Sequence, residues 1–159
     1  MKEKRVKIMK KKVLAIALVV GALLTACGSK EPVSAATFTE KAQEQGFEVI
    51  DMTEYEDIDG ATAALFAMND DDVEIMFIEG EDTDFAKNYY ELTKTEYVNA
   101  YEEGSSVHTD VNVGNSQKYT VKNGDVYATV ERVDNTIVYV ETSTDYRDAV
   151  KSLLDELNY

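Results

Sequence analysis

The stretch that most limits how this chain can fold is Val73–Ile78. Val73, Ile75 and Phe77 alternate with Glu74, Met76 and Ile78, so both sides of the segment are largely apolar. A strand apolar on both sides belongs inside a sheet rather than at its edge. Ala63–Met68 precedes it across Asn69-Asp-Asp-Asp72, a turn-forming cluster, which makes a hairpin of the two runs.

The elements around this hairpin follow from periodicity and turn chemistry. Thr37-Phe-Thr-Glu40 has the form of a capping box, followed by a short helix over 38–45, with Gly46 placed to close it at positive φ. Phe47–Asp51 reads as a strand, and Met52–Gly60 as a loop or an extra helical turn. Thr83–Tyr101 has Phe85, Ala86, Tyr89, Tyr90, Thr93, Tyr97 and Tyr101 near helical spacing, and Glu102-Glu-Gly104 ends it. Strands are expected at Val107–Val113, Lys118–Lys122, Asp125–Val133 and Thr136–Thr142, with turns at Asn123-Gly124 and Asp134-Asn135. A last helix spans Asp145–Leu157, its stripe carried by Tyr146, Ala149, Val150, Leu153, Leu154 and Leu157. The fold class these imply is α+β, an antiparallel sheet with helices packed on one face in two layers. A strand-strand-helix order recurs in Phe66–Lys94 and Val130–Leu157, the pattern an internal repeat would leave.

None of this applies to the beginning of the chain. Lys2, Lys4, Arg5, Lys7, Lys10, Lys11 and Lys12 precede an unbroken apolar run, Val13–Leu24, and Met9 before three lysines would serve equally well as a start. As a helix that run spans only about 18 Å, short of the ~30 Å hydrocarbon layer, and fits a removable leader better than a membrane span. The run ends in Leu24-Thr25-Ala26-Cys27, and Cys27 is the only cysteine. This segment resembles the lipobox of bacterial lipoprotein precursors, and Gly28-Ser29 fits the small polar residues that follow it. The resemblance covers residues 1–27. It implies that the Cys27 thiol receives a diacylglyceryl group, that residues 1–26 are removed as a signal peptide, and that the chain is held at the extracytoplasmic face of the membrane. Two acyl chains hold firmly where one is marginal. Residues 27–36, with the only proline at Pro32, then form the lipidated cysteine and a linker, and 37–159 a single domain.

Charge narrows the partners. The chain has 16 Lys and Arg against 31 Asp and Glu; residues 1–26 hold seven basic groups and one acidic, so the remainder has nine against 30, a formal −21. Nucleic acid is excluded as a partner, because its binding depends on neutralising phosphates with Lys and Arg. Anionic lipid heads are repelled too, leaving the lipid on Cys27 as the membrane contact. No cysteine remains beyond Cys27 for a disulfide or a thiolate metal site.

Motifs that would carry chemistry are weak. His108, the only histidine, lies near Ser105, Ser106 and Asp110, but no Gly-x-Ser-x-Gly elbow accompanies it, and it reads as a solvated strand residue. The acidic clusters Glu54–Asp59, Asp70–Asp72 and Glu79–Asp84 read as solvated turns. A calcium loop aligned on Gly60 would put Tyr55 at its first ligand and Phe66 at its bidentate one. Sequence therefore assigns no catalytic, metal or cofactor residue and only Cys27 as a modified one. Tyr89, Tyr90, Tyr97 and Tyr101 cannot all share one stripe of their helix, which leaves one or two for an interface. The reading is a non-catalytic binding module with an envelope protein or glycan partner. The alternative is a small envelope hydrolase, or an accessory subunit of an envelope enzyme or transporter.

Overall fold

The computed structural model describes residues 29–55, 58–71 and 73–159. The leader and Cys27 lie outside the described residues. Among the described residues there are seven strands: β1 (Glu48–Asp51), β2 (Ala61–Met68), β3 (Glu74–Gly80), β4 (Val107–Val113), β5 (Ser116–Asn123), β6 (Val126–Val133) and β7 (Thr136–Ser143). They form one sheet in the order β1-β2-β3-β7-β6-β5-β4. Every neighbouring pair is antiparallel. A three-stranded meander (β1–β3) and a four-stranded one (β4–β7) thus meet at the β3–β7 pair, with β1 and β4 at the two edges.

Turn chemistry builds the hairpins. Val133 pairs with Thr136 across Asp134-Asn135, and Asp134 takes the positive φ of 54° that such a two-residue turn demands. The β5–β6 turn sits one residue later than the Asn-Gly dipeptide suggests. Asn123 pairs with Val126, so Gly124, at φ 58°, and Asp125 make the turn. Asn123 instead donates its side-chain amide to the carbonyls of Tyr101 and Glu103, tying the sheet to the end of a helix. In the β2–β3 connection the side-chain Oδ1 of Asn69 accepts from the amides of Asp71 and Val73.

Three helices among the described residues pack on the sheet: α1 (Ala35–Glu44), α2 (Thr83–Tyr101) and α3 (Arg147–Glu156), the last entered through a 3₁₀ turn at Thr144–Tyr146. The expected capping box at Thr37 is corrected. Ser34 caps α1 by accepting from the Thr37 amide at 3.2 Å, so the helix starts one turn earlier. Gly46 does take positive φ, 85°, after α1. Asp82 caps α2 through the amide of Phe85 at 2.8 Å.

The α+β class and the antiparallel sheet carrying helices are as the sequence implies. The helices, however, divide between the two faces. On one face α1 and α3 bury Phe38, Val150, Leu153 and Leu154 against Leu65, Ile75, Phe77, Val138 and Val140. Phe38 stacks on Phe77 with centroids 4.7 Å apart. On the other, α2 buries Ala86, Tyr90 and Tyr97 against Tyr119, Val121, Ala128, Val130 and Ile137. Successive residues of β7 and β6 join opposite clusters, as strand pleating requires. This is why β3 and β7 are apolar on both sides. The two strand-strand-helix units are both present, but α2 and α3 follow them onto opposite faces.

The chain before α1 is fixed to the sheet rather than free as a spacer. The Lys30 amide donates to Asn115 Oδ1 at 2.9 Å, and Asn115 Nδ2 donates to the Lys30 carbonyl at 2.7 Å. Asn115 lies in the turn between β4 and β5, beside the β6–β7 turn, whose Asp134 amide donates to the Asn115 carbonyl.

Candidate functional site

The helices leave part of the sheet bare. α2 packs over β5, β6, β7 and β3, whereas α1 lies over β1, β2 and β3 on the opposite face. On the α2 side, β1, β2 and part of β3 therefore carry no helix. Pleating and register turn that area into a row. Ile50 pairs with Phe66, Phe66 with Met76, and Met76 with Tyr139, so four apolar side chains line up across four strands. Three interstrand steps of about 4.8 Å make the row roughly 14 Å long.

α2 supplies the wall. Tyr89, Leu92, Thr93, Glu96 and Tyr97, at i, i+3, i+4, i+7 and i+8, border a groove of about 410 Å³ whose floor includes Phe66, Met76 and Tyr139. Leu92 is 58% exposed and Ile50 40% exposed, large apolar side chains left to solvent at either side of the groove. The hydroxyls of Tyr89 and Tyr139 meet at 3.5 Å, and their rings are tilted with centroids 6.1 Å apart. Tyr97 anchors the wall by donating its hydroxyl to the Val140 carbonyl at 3.1 Å.

A second row runs parallel to the first. Two residues along each strand, about 6.8 Å away, Glu48 pairs with Met68, Met68 with Glu74, and Glu74 with Glu141. Glu96 adds a carboxylate from α2, so Glu74, Glu96 and Glu141 all line the groove. Among the described residues no Lys, Arg or His forms an ion pair with any of them. Burial, with a hydrogen bond to Glu141 and its charge, pushes the Tyr101 hydroxyl up to about 12, and burial raises Tyr97 further. Both tyrosines are neutral donors throughout the physiological range, and among the described residues the carboxylates supply the only formal charge lining this groove. The arrangement offers aromatic and thioether surface along one line and negative charge along the next.

His108 and its neighbours do not assemble as a triad. The His108 Nδ1 lies 3.3 Å from Glu102, which also accepts from the Tyr119 hydroxyl at 2.6 Å. Asp110 is engaged by Lys94 instead. Half of the His108 side chain is exposed on the edge strand β4. Among the described residues no three His, Cys, Asp or Glu side chains are grouped closely enough to hold a metal ion. Parts of the acidic clusters, Glu56, Asp57 and Asp72, lie outside the described residues.

No family model matches this chain, and no curated protein matches it either. Among solved structures, the extracellular domain of PknH from Mycobacterium tuberculosis is similar at a TM-score of 0.40 and 10% identity, covering 80% of this chain and 92% of that one. That likeness is too distant to carry an argument.

Sequence reasoning missed Ile50, Phe66, Met76, Leu92 and Tyr139 as a unit. Two of its observations pointed there: the apolar outer side of Val73–Ile78, and the surplus of tyrosines on the helix that became α2.

Proposed function

We propose that this chain is an exported lipoprotein, tethered by lipid on Cys27 at the extracytoplasmic face of the membrane, and that its domain is a non-catalytic interaction module working through the groove beside α2. The observation that carries the binding role is the apolar row Ile50–Phe66–Met76, continued beneath α2 by Tyr139, on strands whose other face is covered by α1. Open apolar surface rimmed by polar residues marks an interaction site.

The anchoring role rests on the lipobox pattern, and the Lys30–Asn115 hydrogen bonds give it a geometry. Three residue steps lead from Cys27 to Lys30, a reach of at most about 11 Å. A lipid on Cys27 would therefore hold the β4–β5 and β6–β7 turns against the bilayer. β3 runs from Glu74 to Gly80 and β7 from Thr136 to Ser143, with Gly80 bonded to Asn135 in the β6–β7 turn. The acidic row at Glu74 and Glu141 is at the other end of the sheet, about 20 Å further out along the strands. The groove would then open away from the membrane, where a partner in the envelope can reach it.

Two measurements test this. Cys27→Ala is expected to move the protein from the membrane to the soluble fraction, with mass spectrometry of the parent showing a chain that begins at a diacylated Cys27. An unmodified thiol or an intact leader overturns the anchor. A photo-cross-linker in place of Leu92 is expected to capture a defined partner in intact cells that the same cross-linker at Val111 on β4 does not. Equal capture from both positions, or none, overturns the groove as the binding site.

A further inference from the structure

We infer that the occupant of the groove is a basic amphipathic helix from another protein, laid alongside α2 over β1–β3. This rests on the groove being the binding site. Among the described residues, one face of the sheet carries two helices, α1 and α3, and the other carries only α2. A helix is about 10 Å across and packs 8–10 Å from its neighbour. The bare strands β1 and β2, with the uncovered part of β3, span between one and two interstrand steps, about 5–10 Å, close to the width of one further helix beside α2.

Chemistry then selects which helix. The floor offers apolar side chains, Phe66 and Met76, continued by Ile50 at the sheet edge, and α2 offers the 58% exposed Leu92. An apolar stripe at i, i+3, i+4 and i+7 would cover both. Met76 and Met68 add adaptable thioether surface, which suits helices of varied sequence. The flank of such a helix would meet the parallel row of Glu48, Glu74 and Glu141, with Glu96 above it. Glu74 and Glu141 face each other directly, and among the described residues neither forms an ion pair with a basic side chain. Lysines or arginines beside the apolar stripe would neutralise that row, and neighbouring tyrosine faces would add cation–π attraction. An acidic or neutral helix would leave the row unneutralised.

The test uses the full chain reconstituted in phosphatidylcholine vesicles, with empty vesicles as the blank. The probe is an 18-residue Leu/Lys peptide with its leucines at helical spacing; a scrambled peptide of the same composition and spermine serve as competitors. The helical peptide is expected to bind at least tenfold more tightly than the scrambled one. Glu74→Lys and Leu92→Asp are each expected to weaken it about tenfold, and Val111→Lys to leave it unchanged. Thermal melts of each variant establish that it is folded. Equal binding of the scrambled peptide overturns the inference, because bulk negative charge would then account for it. Unchanged affinity in Glu74→Lys overturns it, and so does full displacement by spermine, which would make the site one for a small organic cation. A cellular partner cross-linked from Leu92 through an acidic or neutral segment would also sink it while leaving the interaction module standing.

Discussion

Glu74 of β3 stands directly opposite Glu141 of β7, at the junction where the two meanders of the sheet join. Like charges on directly opposed residues of antiparallel strands destabilise the pair, by about 0.2–1 kcal/mol. Glu74→Lys should replace that repulsion with a cross-strand ion pair. The expected gain is about 1 kcal/mol at low salt, read as a melting temperature a few degrees higher, and it should shrink in 0.5 M salt. The same substitution is expected to weaken groove binding. A variant that is more stable but less functional would show that the facing carboxylates are kept for what they bind. An unchanged or lower melting temperature would mean that the two side chains already avoid each other.

Gly80 is fixed by an aromatic ring. A Cβ at Gly80 would come within 3.0 Å of three ring atoms of Phe85, and one at Gly60 would lie 2.7 Å from the same ring. Phe85 occupies the notch between the two glycines at the start of α2. Gly80→Ala should cost about 1–3 kcal/mol through overpacking, measured by chemical denaturation. Combining it with Phe85→Leu should cost less than the sum of the two single changes, because the smaller side chain can yield. Strict additivity would refute the contact as the cause.

Glu131 is 2% exposed on β6, and its carboxylate is held by Lys118 at 2.6 Å from the neighbouring strand. Removing one partner of a buried pair leaves an uncompensated charge. Lys118→Met should cost about 3 kcal/mol, the low end for such a change because Lys118 is itself 37% exposed. Lys118→Met with Glu131→Gln should recover most of the loss. If the double variant is as unstable as the single one, the cost comes from the lysine's packing and not from its charge.

How much of this was legible in the sequence depends on how local each cause is. Hairpins and α2 were readable because Asp134-Asn135 and the apolar spacing from Phe85 to Tyr101 act within a few residues. Ser34 and Thr37 offer the same hydroxyl chemistry, and just ahead of Ser34 the chain is tied by Lys30 to Asn115, 85 residues away. No window of sequence contains that bond. The both-sided apolarity of Val73–Ile78 did announce a central strand. It also implied cover on both faces, a consequence that a two-layer reading leaves unused. The groove was the least legible part, since Ile50, Phe66, Met76 and Tyr139 come from four strands and meet only through register, which pairing sets across the whole sheet.

Tyrosines give the fold an alkaline limit. Burial is the first cause that raises Tyr90, Tyr97, Tyr119, Tyr127 and Tyr159 above the usual phenol value, and Tyr101 reaches about 12. Below about pH 10 these groups are protonated in folded and unfolded chains alike, and their contribution to stability is fully present. As pH rises past 10 the unfolded chain releases protons that the folded one keeps, so stability falls by about 1.4 kcal/mol per pH unit for each such tyrosine until its folded pKa is reached. Melting temperature should thus hold steady from pH 8 to about 9.5 and then drop steeply. Tyr90 separates this effect from packing. Its side chain is buried and its hydroxyl has no hydrogen-bond partner among the described residues. Tyr90→Phe should be neutral or stabilising by about 1 kcal/mol at pH 7, and should make the alkaline slope shallower by one proton. A destabilised Tyr90→Phe at pH 7, or an unaltered slope, would show that the hydroxyl is solvated or bonded in solution.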